Sequence, residues 1–528
     1  MKKFKKQCWI STCILLLCVA MLLTACDSGE NAKQNNSPNS PKQTFEENIT
    51  VPIDSEQKTT GTVGTNEIPT QPTDPINPTD PCINGHKCEN NVCTVCGLEF
   101  SSGLKFTSNQ DGTCYISGIG TCTSSKILIP PTSPNGDTVT GLAKGAFYNC
   151  NKITSIIIPN NVTSIGDSAF HSCSSLTSIT IPDNVTSISD SAFHSCNSLT
   201  DISIPDGVTS IGRQAFYDCA NLISISIPNS VISIGEGAFY FCNSLTSVII
   251  GNGVVNIGQL AFCCCTNLTS VTLGNNVTSI APKAFSGCNS LTSIFIPDSV
   301  VSIGEDAFKG CNSLIQVENG ISYVDKWVIA CDTNVTNAVL RQNAIGIGDY
   351  AFSGCSNITD IFLGNSLKSI GKGAFSHCSS LTSISLPDNI TNIDGNAFSN
   401  CRSLTSISIP SSVTIIDWHA FSDCISLTRI SIPNNVTSIN WCAFSGCSNL
   451  ANITIPDRVT SIGYYAFQYC DKLKIVYYGG TAQEWSAIAI DSGNESLTSA
   501  TIYYYSSTQP TTSGNYWRYV DGVPTAWE

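Results

Sequence analysis

The sequence predicts a repeat solenoid of short stacked coils, and three observations lead to this fold class. An Ala-Phe pair recurs every 23 residues from Phe147 to Phe308, and the same step returns from Phe352 to Phe467. A Cys follows each of these Phe residues by three positions, and an apolar alternation precedes each pair. Self-similarity at a fixed period of this length is the signature of a stacked repeat protein.

The copy at residues 176–198 shows how one coil is built. Ile179 and Ile181 alternate with polar residues, which is typical of a half-buried strand. Pro182 lacks an N–H group and ends that strand. Val185 and Ile188 form a second apolar pair on another side of the coil, and "DSAF" predicts a turn or one short helical turn. Each coil therefore directs its apolar residues inward.

A single coil is too small to fold alone. Each of its apolar side chains contributes about 1.5–3 kcal/mol when fully buried, whereas ordering the backbone costs about 1–2 kcal/mol per residue. Neighbouring coils must therefore cover one another, and about 14–15 of them are expected over residues 146–470.

The period is interrupted at residues 318–348. Phe295 and Phe362 flank this segment in a strand position that must point outward and that is mostly Ser or Thr in other coils. Tyr323 and Trp327 lie inside the segment. Two interpretations remain open: a degenerate coil with a hairpin packed on the core, or a ligand-binding hot spot formed by these four aromatic residues, the residue class that dominates binding energy at interfaces.

The repeated words "LTSITIP", "VTSIG" and "AFHSC" resemble the BspA-like class of bacterial leucine-rich repeats over residues from about 140 to 475. The resemblance implies a leucine-rich-repeat solenoid with a parallel β-sheet on one face and short turns or helical turns on the other. It also implies a bacterial surface protein linked to adhesion or host contact.

The N-terminus predicts export. Residues 1–25 carry a basic segment followed by an apolar segment from about 9 to 23, as a secretory signal does. A permanent transmembrane helix is the alternative at this length. "LTAC" at 23–26 resembles a bacterial lipobox, which implies cleavage before Cys26 and its lipidation. Residues 26–81 are rich in Pro, Thr and Asn and predict a disordered tether.

Residues 82–100 form a Cys/His cluster. "CTVC" has the spacing of one side of a structural zinc site, which Cys82 or Cys88 could complete together with His86. The resulting candidate set is Cys82, His86, Cys93 and Cys96. A small disulfide knuckle is one alternative, because an exported segment permits disulfides, and unpaired thiols are the other. Apart from this possible structural zinc, no cofactor is expected.

The two ends of the solenoid are predicted to be capped. Residues 101–145 form the N-terminal cap, where a disulfide between Cys114 and Cys122 is suggested by two short strands joined at "SGIG". Residues 471–505 form the C-terminal cap, and residues 506–528 follow as a tail.

The Cys after each Ala-Phe pair is not expected to form a disulfide. Parallel side chains in stacked coils do not suit the disulfide torsion, so these residues predict a ladder of buried, reduced thiols.

Composition and motifs argue against an enzyme and against nucleic acid. Charged residues make up 12% of the chain and its formal net charge is −14, whereas phosphate binding requires clustered Lys and Arg. No catalytic motif stands in a fitting context. His171 and His194 occupy the same position in adjacent coils and could hold a metal weakly, but they fit solvated turn residues better.

These observations predict a lipid-anchored bacterial surface protein that binds an extracellular protein or glycan through its solenoid surface. The membrane contact would come from the lipid at Cys26. The alternative is a structural envelope scaffold or spacer without a specific ligand.

Overall fold

The computed structural model describes residues 88–89, 92–93 and 99–527. The predicted signal peptide, Cys26 and the tether lie outside the described residues. Cys82, His86 and Cys96 lie outside them too, and of Cys93 only the backbone is described. Strand β1 (Cys88–Glu89) pairs antiparallel with β2 (Val92–Cys93), and Cys88 stands opposite Cys93.

The N-terminal cap is an antiparallel hairpin that leads into parallel pairing. Strands β3 (Lys105–Ser108) and β4 (Thr113–Gly118) form the hairpin, and β4 pairs parallel with β6 (Thr138–Leu142). Strand β5 (Lys126–Leu128) starts a separate parallel ladder. The cap thus supplies the first partner for both ladders of the solenoid.

Regular coils carry two strands each, except the coil that contains Ile202 and Ile204, which has only the shorter one. The longer strand is the alternating segment foreseen in the sequence, and before the interruption these strands are β7 (Ser155–Ile157), β9 (Ser178–Thr180), β12 (Ser224–Ile227), β14 (Ser247–Ile250), β16 (Ser270–Thr272) and β18 (Ser293–Ile294). After it they are β25 (Asp360–Phe362), β27 (Ser383–Ser385), β29 (Ser406–Ser408), β31 (Arg429–Ser431), β33 (Asn452–Ile455) and β35 (Ile475–Tyr478).

A second strand of only two residues ends at the last member of the second apolar pair, as Ser187–Ile188 does, and this strand was not predicted. These short strands are β8 (Ser164–Ile165), β10 (Ser187–Ile188), β11 (Ser210–Ile211), β13 (Ser233–Ile234), β15 (Asn256–Ile257), β17 (Ser279–Ile280), β19 (Ser302–Ile303), β24 (Gly346–Ile347), β26 (Ser369–Ile370), β28 (Asn392–Ile393), β30 (Ile415–Ile416), β32 (Ser438–Ile439) and β34 (Ser461–Ile462). Equivalent residues pair in parallel one coil apart, as Ile188 does with Ile211. The result is a parallel β-solenoid of about 17 turns with very little helix.

The Ala-Phe segment is a pair of tight turns and forms a third backbone ladder. Phe147 N donates to Ala169 O at 2.7 Å, and Phe170 N donates to Ala192 O at 2.8 Å. Ser168 and Ser172 flank Phe170 with φ of 54° and 59°, in the left-handed region. These turns expose backbone groups to the neighbouring coil, so each coil is hydrogen-bonded to the next on three sides.

The described interior consists of two large hydrophobic clusters and a small one formed by Phe100 and Leu128. The first core runs from Leu104 to Trp327, and the second core runs from Ile321 to Leu497. In both, the Phe rings stack in a column with centroids 5.1–5.6 Å apart. Coils therefore bury one another's flat faces, as the energetics of a single coil require.

The interruption is a short antiparallel sheet between the cores. Strand β20 (Gln316–Glu318) pairs with β21 (Ile321–Val324), and β21 pairs with β22 (Trp327–Cys331). Strand β22 then pairs parallel with β24, while β23 (Asn337–Val339) pairs parallel with β25. Residues of this hairpin belong to both cores, so it joins them instead of separating them.

The C-terminal end closes the second core. Helix α1 (Ala482–Ser486) begins with a capping box between Thr481 and Glu484, and helix α2 (Glu495–Thr498) follows β36 (Ala489–Ile490). Strands β37 (Thr501–Tyr505), β38 (Tyr516–Val520) and β39 (Val523–Ala526) extend the last sheet. Trp517 is 1% exposed, and its Nε1 donates to Tyr478 O at 2.7 Å, so the predicted tail packs on the cap. In the described part of the chain, no helix has the length and apolar character that crossing a membrane requires.

Candidate binding surfaces

The outward column of the longer strands is mostly hydroxyl, as the sequence indicated. Thr180, Ser203 and Ser226 are all exposed there. Neighbouring Thr hydroxyls are used within the stack: Thr177 Oγ1 donates to Thr154 O at 2.9 Å, and Thr209 Oγ1 donates to Thr186 O at 3.0 Å. This face therefore offers a ligand few strong anchors.

An apolar group interrupts that hydroxyl column near the hairpin. Phe295 is 64% exposed, Phe362 is 61% exposed, and Val339 stands beside Phe362 in register at 60% exposed. We call these three residues the sheet patch. Adjacent exposed apolar side chains, as Val339 and Phe362 are, mark an interaction surface more often than scattered ones do. Phe295 holds the equivalent outward position in the last regular coil before the hairpin.

Tyr323 and Trp327 are not part of any surface, and their assignment to a ligand site is wrong. Each is 1% exposed. The Tyr323 hydroxyl accepts a hydrogen bond from Arg341 N at 3.3 Å, and the Arg341 guanidinium lies 4.2 Å from the Tyr323 ring centroid. The Trp327 ring packs on Gly346, where any Cβ would collide with it. Both side chains fix the hairpin on the core, which confirms the structural interpretation for these two residues.

A half-buried aromatic ladder lies on the turns of the first core, one residue after each Phe. His171 and His194 stack with centroids 4.3 Å apart, and Tyr148, Tyr217 and Tyr240 continue the stack on both sides at 4.5–5.1 Å. Among the described residues, no three His, Cys, Asp or Glu side chains gather as a metal site would require. The two imidazoles are therefore packed members of a ladder rather than solvated turn residues.

Burial lowers the pKa of both imidazoles. For His171 the cause is desolvation, and for His194 desolvation is joined by the charge of His171 beside it. The Nδ1 of His171 lies 2.9 Å from Ser172 Oγ, and the Nδ1 of His194 lies 2.9 Å from Ser195 Oγ. The ladder thus favours neutral imidazole rings.

A concave site lies on the turns of the second core, and sequence reasoning missed it. Trp418, Trp441 and Tyr464 each stand three residues before a Phe in successive coils. They line a cavity of about 670 Å³ together with Asp417, Asn440 and Asp491. We call it the C-terminal aromatic groove. Trp441 is 51% exposed and Tyr464 is 54% exposed, so the rings are accessible.

Carboxyl groups accumulate behind this groove. Burial, then the charges of Asp349 and Asp417, raises the pKa of Asp394 to about 6. Burial also raises the pKa of Asp349, although Lys372 N donates to its Oδ1 at 2.8 Å. Asp417 Oδ1 accepts from Trp418 N at 2.8 Å and from Asn440 Nδ2 at 2.9 Å. The surroundings of the groove are therefore acidic.

Comparison with known proteins identifies the repeat. The family model of the BspA type leucine rich repeat region, which comprises six copies of the repeat, matches this chain at residues 140–265, 255–381 and 345–474. Together these matches span more than half of the chain. The chain belongs to the BspA-type leucine-rich repeat family. No curated protein matches this chain significantly.

Several bacterial leucine-rich repeat proteins of known structure are similar to this chain. A leucine-rich repeat protein from Bacteroides ovatus is 28% identical, with a TM-score of 0.41, and the match covers 76% of this chain and 98% of that one. A leucine rich cell surface protein from Faecalibacterium prausnitzii is 30% identical, with a TM-score of 0.35, and the match covers 74% and 97%. BspA-type proteins are typically bacterial surface proteins and typically non-enzymatic.

The Cys of each BspA-type repeat confirms the predicted thiol ladder. All fourteen are free, and most are fully buried. In twelve of them Sγ donates to the carbonyl oxygen of the Phe one coil earlier, at 3.1–3.2 Å, as Cys219 does to Phe193 O. Burial raises the pKa of Cys219 to about 12. These thiols are buried hydrogen-bond donors and poor nucleophiles.

The disulfide suggested in the N-terminal cap is not formed in the structure. Cys114 and Cys122 are both free thiols. Cys114 is fully buried on β4 and its Sγ donates to Asp137 O at 3.6 Å, whereas Cys122 follows the turn after β4 and is only partly buried. The cap is therefore held by strand pairing and packing.

The metal candidates Cys82, His86, Cys93 and Cys96 stay a prediction, because their side chains lie outside the described residues.

Proposed function

We propose that this chain is exported, anchored by lipid at Cys26, and binds an extracellular protein or glycan through the sheet patch. The observation that supports this proposal is the exposure of Phe295, Val339 and Phe362 on a face whose other outward positions are mostly Ser and Thr. A BspA-type solenoid fits a binding role because stacked coils present a long, continuous surface to a partner.

The energetics of the sheet patch favour a partner that covers it. Burying a Phe or Val side chain against a partner contributes about 1.5–3 kcal/mol. Phe362 and Val339 are adjacent strand neighbours, so one partner side chain can contact both. A few aromatic anchors surrounded by neutral polar positions is the usual distribution of energy at a binding interface.

An array of glycans and extracellular-matrix proteins tests the binding role. We expect the full chain to bind one ligand class saturably, and the Phe295→Ala, Phe362→Ala double variant to lose at least about tenfold in affinity. Ile249→Ala is the matched control, because Ile249 is 44% exposed in the same outward column but lies on β14, away from the patch. Saturable binding that the double variant retains would refute the patch, and no binding together with self-association would favour a scaffold.

The anchor is tested separately from the ligand. Cells grown with labelled palmitate should label the protein, and Cys26→Ser should abolish the label while the protein is still made. Cys114→Ser provides a control for general loss of thiol chemistry, since that thiol is buried in the cap. Equal label in the Cys26→Ser and native proteins would refute lipidation.

A further inference from the structure

We infer that the C-terminal aromatic groove is a binding site for an organic cation, namely a quaternary ammonium group carried by a ligand. The site is distinct from the sheet patch, and the inference does not depend on the function proposed for that patch. It rests on ring placement, on the charge of the lining residues and on a cation that the protein itself places on one of the rings.

The stacking of coils places the three rings around one space. Trp418, Trp441 and Tyr464 occupy the same position in successive coils, and neighbouring strands in such a stack are about 4.8 Å apart. His419 contacts Trp418 and Trp441 edge to face, with centroids 5.8 and 4.9 Å away, and so holds both indoles. The groove is therefore built on positions that the solenoid backbone fixes.

The charge of the groove is negative. Asp417 and Asp491 line it, and the described lining residues include no Lys or Arg. Both hydrogen bonds recorded for the Asp417 carboxylate go to Oδ1, and within the described residues Oδ2 receives none. Asp491 is exposed at the end of β36. An anionic ligand would be repelled here, and a cationic one would be attracted.

Trp418 already carries a cation. The Lys372 ammonium lies 4.7 Å from the centroid of the Trp418 ring. The ring lies against Gly395, where a Cβ would come within 2.5 Å of it, so glycine is needed for this placement. An aromatic face attracts cations through its quadrupole, and Trp does so most strongly. The same chemistry is available to a ligand at the exposed Trp441.

A quaternary ammonium group fits this combination better than the alternatives. It has no N–H groups to satisfy, so ring faces and nearby carboxylates are sufficient partners, and such aromatic cages are the known means of recognising it. A purely apolar ligand would gain nothing from the two carboxylates. A neutral sugar could stack on an indole, but its binding would not depend on the charge.

Choline is the probe for this site. We expect the tryptophan fluorescence of the full chain to titrate saturably with choline, with a dissociation constant on the order of millimolar for so small a ligand. The neutral carbon isostere of choline, in which a tert-butyl group replaces trimethylammonium, should bind at least about tenfold more weakly. Maltose serves as the sugar probe and should not compete.

Two variants link the binding to the groove. Trp441→Ala should weaken choline binding at least about tenfold, and Asp491→Asn should weaken choline binding several-fold without affecting the isostere. Tyr148→Ala is the matched control, because Tyr148 is 56% exposed on a turn of the first core. An unchanged thermal midpoint for Trp441→Ala shows that the variant is folded. Phe362→Ala should leave choline binding intact, which separates this site from the sheet patch.

Each contrary outcome overturns the inference. Equal binding of choline and its isostere would show an apolar site. Saturable maltose binding that Trp441→Ala abolishes would show a sugar site. Choline binding that survives Trp441→Ala would place the ligand elsewhere, and no saturation up to about 0.1 M would mean that no site exists.

Discussion

The first and second cores are built from the same 23-residue coil, yet the surfaces above them differ. On the first core, His171 and His194 stack tightly in a half-buried ladder. On the second core, Trp418 and Trp441 stand around a cavity, with acids behind it. The inward positions must cover the neighbouring coil and therefore stay the same. The turn positions are free of that demand, so they can carry different chemistry on one backbone.

The largest expected effect concerns the joint between the two cores. Trp327→Ala should destabilise the protein by about 3–5 kcal/mol, because Trp327 is fully buried in the first core while Val328 beside it is buried in the second. Chemical denaturation of Trp327→Ala should then resolve two unfolding transitions, whereas the native protein is expected to unfold in one.

Phe295→Ala is the control for this experiment, since its exposed side chain should change stability by less than about 0.5 kcal/mol. Trp327→Phe should cost less than Trp327→Ala, partly because the Trp327 Nε1 hydrogen has no acceptor in the described structure. A loss below about 1 kcal/mol for Trp327→Ala would show that the hairpin does not join the cores.

The second-largest expected effect is a pH dependence of stability that arises in the second core. The pKa of Asp394 is raised from 3.8 to about 6, so the folded state holds this proton more tightly than the unfolded chain. Stability should therefore fall as pH rises from about 4 to 6 and stay level above that. Asp394→Asn should remove a penalty of up to about 3 kcal/mol at pH 7 and leave stability near pH 3.5 unchanged.

Thermal unfolding of both proteins between pH 3.5 and 7.5 measures this difference. Asp360→Asn is the control, because Asp360 is an exposed carboxyl on β25 of the same core. If Asp394→Asn gave no gain in stability at pH 7, the Asp394 carboxyl would ionise in the folded protein without a free-energy cost. The neighbouring Asp349 and Asp417 would then not destabilise the second core.

The smallest expected effect has the opposite sign and belongs to the first core. Burial holds the pKa of His194 below its ordinary 6.5, so acidification should destabilise the ladder as the unfolded chain takes up protons first. At pH 8, His194→Ser should cost about 0.5–1.5 kcal/mol through lost ring stacking. That cost should shrink below pH 6.5 in urea titrations.

His377→Ser is the comparison, since His377 lies two residues after Phe375 on the second core and outside the ring stack. A His194→Ser cost that is independent of pH would contradict the assignment of a buried neutral imidazole.

Periodic positions of this protein could be predicted, and non-periodic ones could not. The inward Ile, Phe and Cys columns follow from the 23-residue step, because stacking brings equivalent residues together. Tyr323 and Trp327 lie where the step fails, and without a period the sequence does not say which way an aromatic side chain faces. Their burial became evident only from the hairpin that they anchor.

The sequence contains a signal for the C-terminal aromatic groove, namely aromatic residues at equivalent turn positions of three successive coils. "DWH", "NWC" and "GYY" fill the same three positions before successive Ala-Phe pairs, where most other coils have small or charged residues. An aromatic residue at a turn looks unremarkable in a single coil. A binding site requires that the aromatic residues of successive coils be neighbours and that open space lie among their rings. The 23-residue spacing predicts that they are neighbours, but it does not predict the open space.

The Sγ-to-carbonyl contacts of the cysteine ladder bear on how such a chain reaches its final form. Before a coil docks, its thiol is accessible to oxidants and to every other cysteine of the chain. Docking buries the thiol and turns it toward a Phe carbonyl on the preceding winding. Growth of the stack from one end would thus bury the cysteines one at a time, so that ordered assembly itself would protect the chain from mispaired disulfides.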